Sequence, residues 1–431
     1  MWKIFTPDTL REQKNILLIR DWFRRHAMSL LVPGTLAAVL VFALRLSTPL
    51  ARLMTDGAEY LNLANLGLVP QAHLGAPFVY RFAVPLFVHV LGLVTGAPPV
   101  SVFPVVAFAA CIVLLTGAYR VALIVDPSPA NALVVMLLLA CSLFVVRFPL
   151  YCPYDVDVEA CIVSFAAFAC ILRRAYPAAL AVSLVGLIFK EFLLAPLAVL
   201  TGMFVLHSIR ERSAREFRWA LLTFGLTFCF FFLPRLLIPV SGGYGTSLHY
   251  KVDAPSRTLY LSELRMFLAW PPNPDILINV VLSLVSFWLP GLMLLTPGRI
   301  RALRADPGIE WITVILWTAT VLLLMSIGGT KVMVFAIYTA PVLVLIVSLL
   351  LRMNVHAAEV SAVVIGTAVF NRIMFSFGSA GGDPGTDIAF YGAYRGLTEV
   401  TAWRFAEVIG WVLVAWVVRR LSRQSHPALI P

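Results

Sequence analysis

The chain is 431 residues long, 60% hydrophobic and 13% charged, well above the roughly 45–50% apolar usage of soluble domains, which excludes an ordinary water-soluble globule. Its formal charge of +11 does not point to nucleic acid, because the basic residues lie in short clusters between apolar runs, the pattern that selects membrane topology. Several of those runs approach the roughly 20 residues that cross a hydrocarbon core as helix, and they lack the alternating polarity of a β-barrel. The expectation is an all-α polytopic membrane protein. Cys111, Cys141, Cys161, Cys170 and Cys229 fall inside apolar runs, only Cys152 lies in a polar loop, and no disulfide framework is visible.

Residues 8 to 25 place Leu10, Ile16, Leu17, Ile19, Trp22 and Phe23 among Arg11, Lys14, Arg20, Arg24 and Arg25, the pattern of an interfacial amphipathic helix on the cytoplasmic side. So many charges before the first apolar run argue for an anchor rather than a cleavable signal peptide. A span at about 28 to 48 follows, and then the polar loop Thr55-Asp56-Gly57-Ala58-Glu59-Tyr60 on the outer side.

The next four apolar runs lie near 82 to 98, 101 to 122, 129 to 148 and 158 to 172. If all crossed, Arg173 and Arg174 would lie outside, together with Arg210, Arg212, Arg215 and Arg218, against the positive-inside rule. The weakest run, 82 to 98, carries Pro85 and His89 and stops at Gly96-Ala97-Pro98-Pro99. It is assigned as a re-entrant or juxtamembrane segment that stays outside. Further spans near 176 to 190, 192 to 207, 219 to 238, 275 to 296, 310 to 328, 332 to 351, 357 to 376 and 402 to 418 then put every arginine cluster inside. The result is about twelve crossings with both termini cytoplasmic. Residues 1–27 form the amphipathic segment, 28–210 and 211–418 two transmembrane modules, and 419–431 a cytoplasmic tail. The second module carries the outer loops 239–274 and 377–399. A bacterial inner membrane suits this arrangement.

In this topology the unusual polar residues gather on the outer side. Ionisable groups at membrane depth are costly and usually face a cavity with partners. Asp56 is either a helix-capping aspartate or a general base held near a reacting hydroxyl; Glu59 and Tyr60, at i+3 and i+4, share its helical face. Asp155, Asp157 and Glu159 are either anionic residues favoured at a helix N-terminus or a second acidic site beside Tyr154. Oxygen ligands would suit Mg, Mn or Ca, yet no complete ligand set for a divalent cation is visible. Lys190-Glu191 is either a simple ion pair or, with Arg235, Lys331 or Arg372, a point-charge clamp on phosphate. His73, His89 and His249 lack metal spacing and are read as loop or packing residues.

Asp56 with Tyr60, the segment Pro77-Phe78-Val79-Tyr80-Arg81, the pair Tyr154-Asp155 and Phe189-Lys190-Glu191 together resemble the N-terminal half of the GT-C superfamily of integral membrane glycosyltransferases. The resemblance covers about residues 28 to 210 and is one of order and topology. It implies a polyprenyl-phosphate-linked sugar donor, a glycan, lipid or protein acceptor, and an active site at the outer face. It makes Asp56 the base and Asp155 or Asp157 the second-loop acid; in our reading that acid orients the acceptor, and Lys190 with Arg235 or Arg372 holds the donor phosphate. The first loop has a single Asp where many members of that superfamily carry an acidic pair. Two other classes remain in view: a lipid-linked oligosaccharide flippase or transporter, which predicts an inverted repeat and midplane charges, and a glycan polymerase or acyltransferase that relies on outer arginines and histidines.

Overall fold

The computed structural model describes residues 31–46, 48, 55–67, 80–237, 274–306, 310–327, 332–353, 355–371 and 399–425, with the backbone alone at 55–56, 235–237, 274–276, 327, 332–333, 399–401 and 423–425. The amphipathic segment expected at 8 to 25, most of the outer loops and the tail beyond 425 lie outside the described residues. Among the described residues every regular element is helical. Among the described residues three helices are long and apolar enough to cross a membrane, a bent pair would make a fourth, and seven further apolar helices are shorter. The chain is thus a helical protein of membrane-embedded character.

Helix α1 (Leu31–Leu46) leads to two short helices, α2 (Thr55–Leu66) and α3 (Ala83–Thr95). At 1.5 Å per residue, α3 is about 20 Å long, too short for a core of roughly 30 Å. Gly96 stops it in the left-handed region at φ 70°, a conformation open to glycine without a Cβ clash. Both ends of α3 are tied to the same end of the molecule. The Ala83 amide donates to Ile188 O at 3.3 Å, and just past its C-terminus Val100 O accepts from the Tyr154 hydroxyl at 3.4 Å. Both ends of the segment are thus held by the 152–156 loop and the turn after α8. Its outward side, Phe87, Leu93 and Val94, is exposed and apolar.

Helix α4 (Pro99–Val125) is 27 residues long, about 40 Å. The expected single span at 129 to 148 is instead broken: α5 (Pro129–Ala140) and the stretch Leu143–Tyr151 meet at 70°. Ser142 adopts an extended backbone at φ −81°, ψ 126°, and a π-helical turn, Leu143–Arg147, follows before the four-residue α6 (Phe148–Tyr151). The freed Leu143 amide is met by Asn371 Oδ1 at 3.4 Å, which repairs a backbone group that the break would orphan. Pro149, lacking an N–H, further disfavours a regular helix here.

The chain continues through α7 (Asp157–Leu172), α8 (Tyr176–Gly186), α9 (Leu194–Glu211) and α10 (Ala214–Leu237). The expected span at 275 to 296 divides at Trp288 into α11 (Pro274–Phe287) and α12 (Leu289–Leu294), with Pro290 in the first turn of the second. Then come α13 (Pro297–Ala305) and α14 (Trp311–Ile327). The run 332 to 351 is likewise segmented, as α15 (Val332–Phe335), a 3-10 turn Ala336–Thr339 and α16 (Ala340–Leu351). Helices α17 (Ala357–Phe370) and α18 (Glu399–Ser425) complete the order. Every residue of α16 is buried and all but Ser348 are apolar, so this helix is the central post around which the others pack. At the periphery α10 exposes Phe217, Leu221, Phe224, Phe228 and Leu233, a surface suited to acyl chains rather than water.

The two ends of the bundle differ in chemistry. At the end away from α3, Glu359 is wholly buried between two arginines. Arg299 grips it with both terminal nitrogens at 2.6 and 3.1 Å, and Arg419 donates through Nε at 2.8 Å. Arg419 also reaches Met293 O at 3.0 Å, so one carboxylate ties α12, α13, α17 and α18 together. Arg352 pairs with Asp306 at the same end.

Candidate functional site

The opposite end gathers the residues singled out in the sequence. Gly57 follows Asp56 in the first turn of α2. A Cβ at Gly57 would lie 2.9 Å from Tyr154 Cβ, so the absent side chain is what lets α2 press against the second acidic loop. Tyr154 is held from the other side by Phe103, edge-on at 5.7 Å and 63°. Burial pushes the Tyr154 phenol above its ordinary pKa, which keeps it a donor to Val100 O. Asp155 turns back to cap its neighbour, accepting from the Val156 amide at 2.9 Å. The backbone of Asp56 thus sits beside Tyr154-Asp155, while its carboxylate is outside the described side chains.

From α2 a chain of polar contacts leads inward. The Tyr60 hydroxyl, on a fully buried side chain, accepts from Arg81 at 3.0 Å. Arg81 forks onto Glu191: Nε donates to Oε2 at 2.8 Å and the second nitrogen donates to Oε1. Such bidentate pairs fix orientation as well as charge. Tyr80 is buried alongside, and Glu59 is half-buried on α2.

The backbone that presents Lys190 and Glu191 is set by Gly186. A Cβ there would come within 2.5 Å of Leu193 Cγ; without it, Leu193 folds onto the end of α8 and the chain reverses through 187–189 into the 3-10 turn Glu191–Leu193. Lys190 is extended, at φ −166°, ψ 149°, and points into the bundle. Its ammonium donates to Asp157 Oδ1, with side-chain exposures of only 2% and 4% for the pair. It also stands over the Phe335 ring at 4.8 Å. Tyr338 donates to the same Asp157 oxygen at 2.7 Å and stacks on Phe192 at 4.3 Å and 7°. Asp157 Oδ2 and Glu159 Oε2 are buried with no hydrogen-bond partner among the described residues; the unpaired amides of the first turn of α7 offset part of that cost.

Two roles read from the sequence change. Lys190 is not a free phosphate clamp, because its charge is taken up by Asp157 in a setting closed to solvent. Asp157 does not face an open site, because Lys190 and Tyr338 occupy its Oδ1 inside the bundle. Both are interior supports behind the surface formed by α2 and the 152–156 loop. Tyr60, Arg81, Glu191, Lys190 and Asp157 are brought together in one network, with Tyr154 and Asp155 next to Gly57. Arg235 lies in α10 with its side chain undescribed, and Lys331, Arg372 and His73 lie outside the described residues. His89 is a packing residue: its Nδ1 lies 2.7 Å from Ala64 O, joining α3 to α2. Among the described residues, no group of three or more His, Cys, Asp or Glu side chains is arranged to hold a metal ion.

Tyr338, Phe192 and Phe335 are site residues that the sequence does not announce. Tyr338 lies inside an apolar run, and its only local signal is a polar pair, Tyr338-Thr339, interrupting that run. No protein-family profile, curated protein or solved structure matches the chain.

Proposed function

We propose that the chain is an inverting glycosyltransferase of GT-C type, moving a sugar from a polyprenyl-phosphate donor to a glycan, lipid or protein acceptor. The observation that carries this reading is the approach of α2 to Tyr154 at Gly57. It brings the backbone of the first turn of α2, which carries Asp56, against the second acidic loop, and Tyr60 on the same helix joins it to the Arg81–Glu191 pair. In the proposed step Asp56 takes the proton from the acceptor hydroxyl. The hydroxyl oxygen attacks the anomeric carbon from the face opposite the donor phosphate. The bond from that carbon to the phosphate oxygen breaks, and its electron pair leaves on the phosphate.

Asp155 is the acid placed to orient the acceptor; Tyr60, Arg81 and Glu191 hold the floor of the site, and Lys190 with Asp157 braces it from within. The charge on the departing phosphate falls to Arg235, Lys331 and Arg372, since preorganised cations are the usual stabilisers of such charge. The topology proposed with this function has about twelve crossings, cytoplasmic termini and an outer-face site in a bacterial inner membrane. A short α2 and α3 that both stay at one end of the bundle support it, as does the gathering of arginines at the other.

The test is sugar transfer in membranes carrying wild type or Asp56→Asn, using radiolabelled polyprenyl-phosphate sugars. Loss of transfer by about 100-fold or more is the expected result for removal of a general base. Unchanged transfer by a folded Asp56→Asn protein removes Asp56 from that role.

A further inference from the structure

A cleft of about 480 Å³ lies between α4 and α7, lined by Val113, Gly117, Ile162 and Phe165 along its length and by Arg120 and Arg173. That volume lies within the roughly 300–1,000 Å³ of ligand sites. Val113 is 52% exposed, so the cleft opens sideways, onto the surface that an embedded helix bundle turns toward lipid. The arginines mark its depth. Val102, in the first turns of α4, belongs to the apolar cluster around Tyr60 and Val156. Arg120 is 18 residues further along the helix, which is about 27 Å. Arg173 caps α7, whose other end carries Asp157. Both cations therefore stand at the end opposite the candidate site, at about the depth where a hydrocarbon core gives way to headgroups. Neither has an ion-pair partner among the described residues.

We infer that this cleft binds an anionic glycerophospholipid, its phosphate between Arg120 and Arg173 and one acyl chain along Val113, Gly117 and Phe165. Charge complementarity selects this occupant. Basic pockets between helices attract anionic headgroups, and an apolar slot running from two cations toward the membrane interior matches a phosphate joined to a hydrocarbon tail. A segment of the chain itself fits poorly. Residues 1–27 carry Lys3, Arg11, Lys14, Arg20, Arg24 and Arg25 against Asp8, Glu12 and Asp21, which brings positive charge to positive charge. The site is separate from the proposed sugar donor, which engages the other end of the bundle.

The experiment is a titration of the purified full-length protein in detergent with phosphatidylglycerol, phosphatidylcholine or inorganic phosphate, read as bound mass by native mass spectrometry. Phosphatidylglycerol is expected to bind far more tightly than phosphatidylcholine. Arg120→Gln with Arg173→Gln should weaken phosphatidylglycerol roughly 30-fold, the effect of removing two cations at a headgroup. Gly117→Leu keeps both charges and fills the slot. A Cβ at Gly117 meets nothing within 4 Å and glycine is the poorer helix former, so this variant should fold and lose the lipid. Equal binding of the two lipids, retention of phosphatidylglycerol by the double variant, or its displacement by inorganic phosphate would each overturn the assignment.

Discussion

Lys190 and Asp157 meet in an ion pair that is almost entirely shielded from solvent, with Tyr338 donating to the same carboxylate oxygen. Breaking a buried pair from one side leaves an uncompensated charge and costs about 3–5 kcal/mol, whereas removing both charges costs much less. Lys190→Met and Asp157→Leu are each expected to lower the thermal midpoint in detergent strongly. The double variant Lys190→Met with Asp157→Leu should recover much of the loss. Additive losses would show that the two side chains act separately.

Gly57 makes a second prediction. Gly57→Val must push α2 away from Tyr154, an overpacking that costs about 1–3 kcal/mol. Because the displaced turn carries Asp56, sugar transfer should fall by more than the stability loss explains. Tyr154→Gly in the same chain, which removes the Cβ that the new side chain meets at 2.9 Å, should restore part of it. Transfer kinetics together with melting curves decide the matter, and full activity in Gly57→Val would dissociate this contact from the site.

Arg81→Lys separates charge from geometry. Lysine keeps the charge near Glu191 but cannot reproduce the fork or reach Tyr60 at the same time. The expected outcome is a defect close to that of Arg81→Ala in transfer assays. Tyr60→Phe, which removes the hydrogen bond accepted from Arg81, should cost only about 0.5–1.5 kcal/mol.

Glu359→Gln tests the other end. With the carboxylate neutralised, Arg299 and Arg419 keep their charges in a buried setting, and a loss of about 3–5 kcal/mol is expected. Since the cluster is far from α2, the folded fraction should bind donor with unchanged affinity. A changed donor affinity in that fraction would mean that the two ends are coupled.

The helical, membrane-embedded character was legible because apolar run length is a property of the chain alone. So was the shortness of the segment near 82 to 98, since Gly96 and the prolines after it are local stop signals. The breaks at Ser142, Trp288 and Ala336 were not, because each falls inside a continuous apolar run, where hydropathy is blind to backbone turns. Among site residues, Arg81, Asp157, Lys190 and Glu191 stood out because charge is rare in such a sequence. Their pairing did not: Lys190 meets Asp157 rather than phosphate, and Glu191 meets Arg81, by virtue of a reversal permitted at Gly186. Tyr338 was hidden because an aromatic residue in an apolar run looks like any other packing residue until its hydroxyl finds a partner.

The stacking of Tyr338 on Phe192 bears on how the protein is made. Asp157 and Lys190 are synthesised in the first half of the chain and can pair as soon as α9 begins to form. The tyrosine that completes their surroundings is translated much later, after α14. Until then the nascent bundle carries a charge pair whose third partner is missing and whose covering rings are incomplete. A chain truncated after α10 is therefore expected to insert into the membrane yet stay vulnerable to membrane proteases. Supplying the remainder, α11 to α18, as a separate polypeptide should protect it, and Tyr338→Phe should reduce that protection.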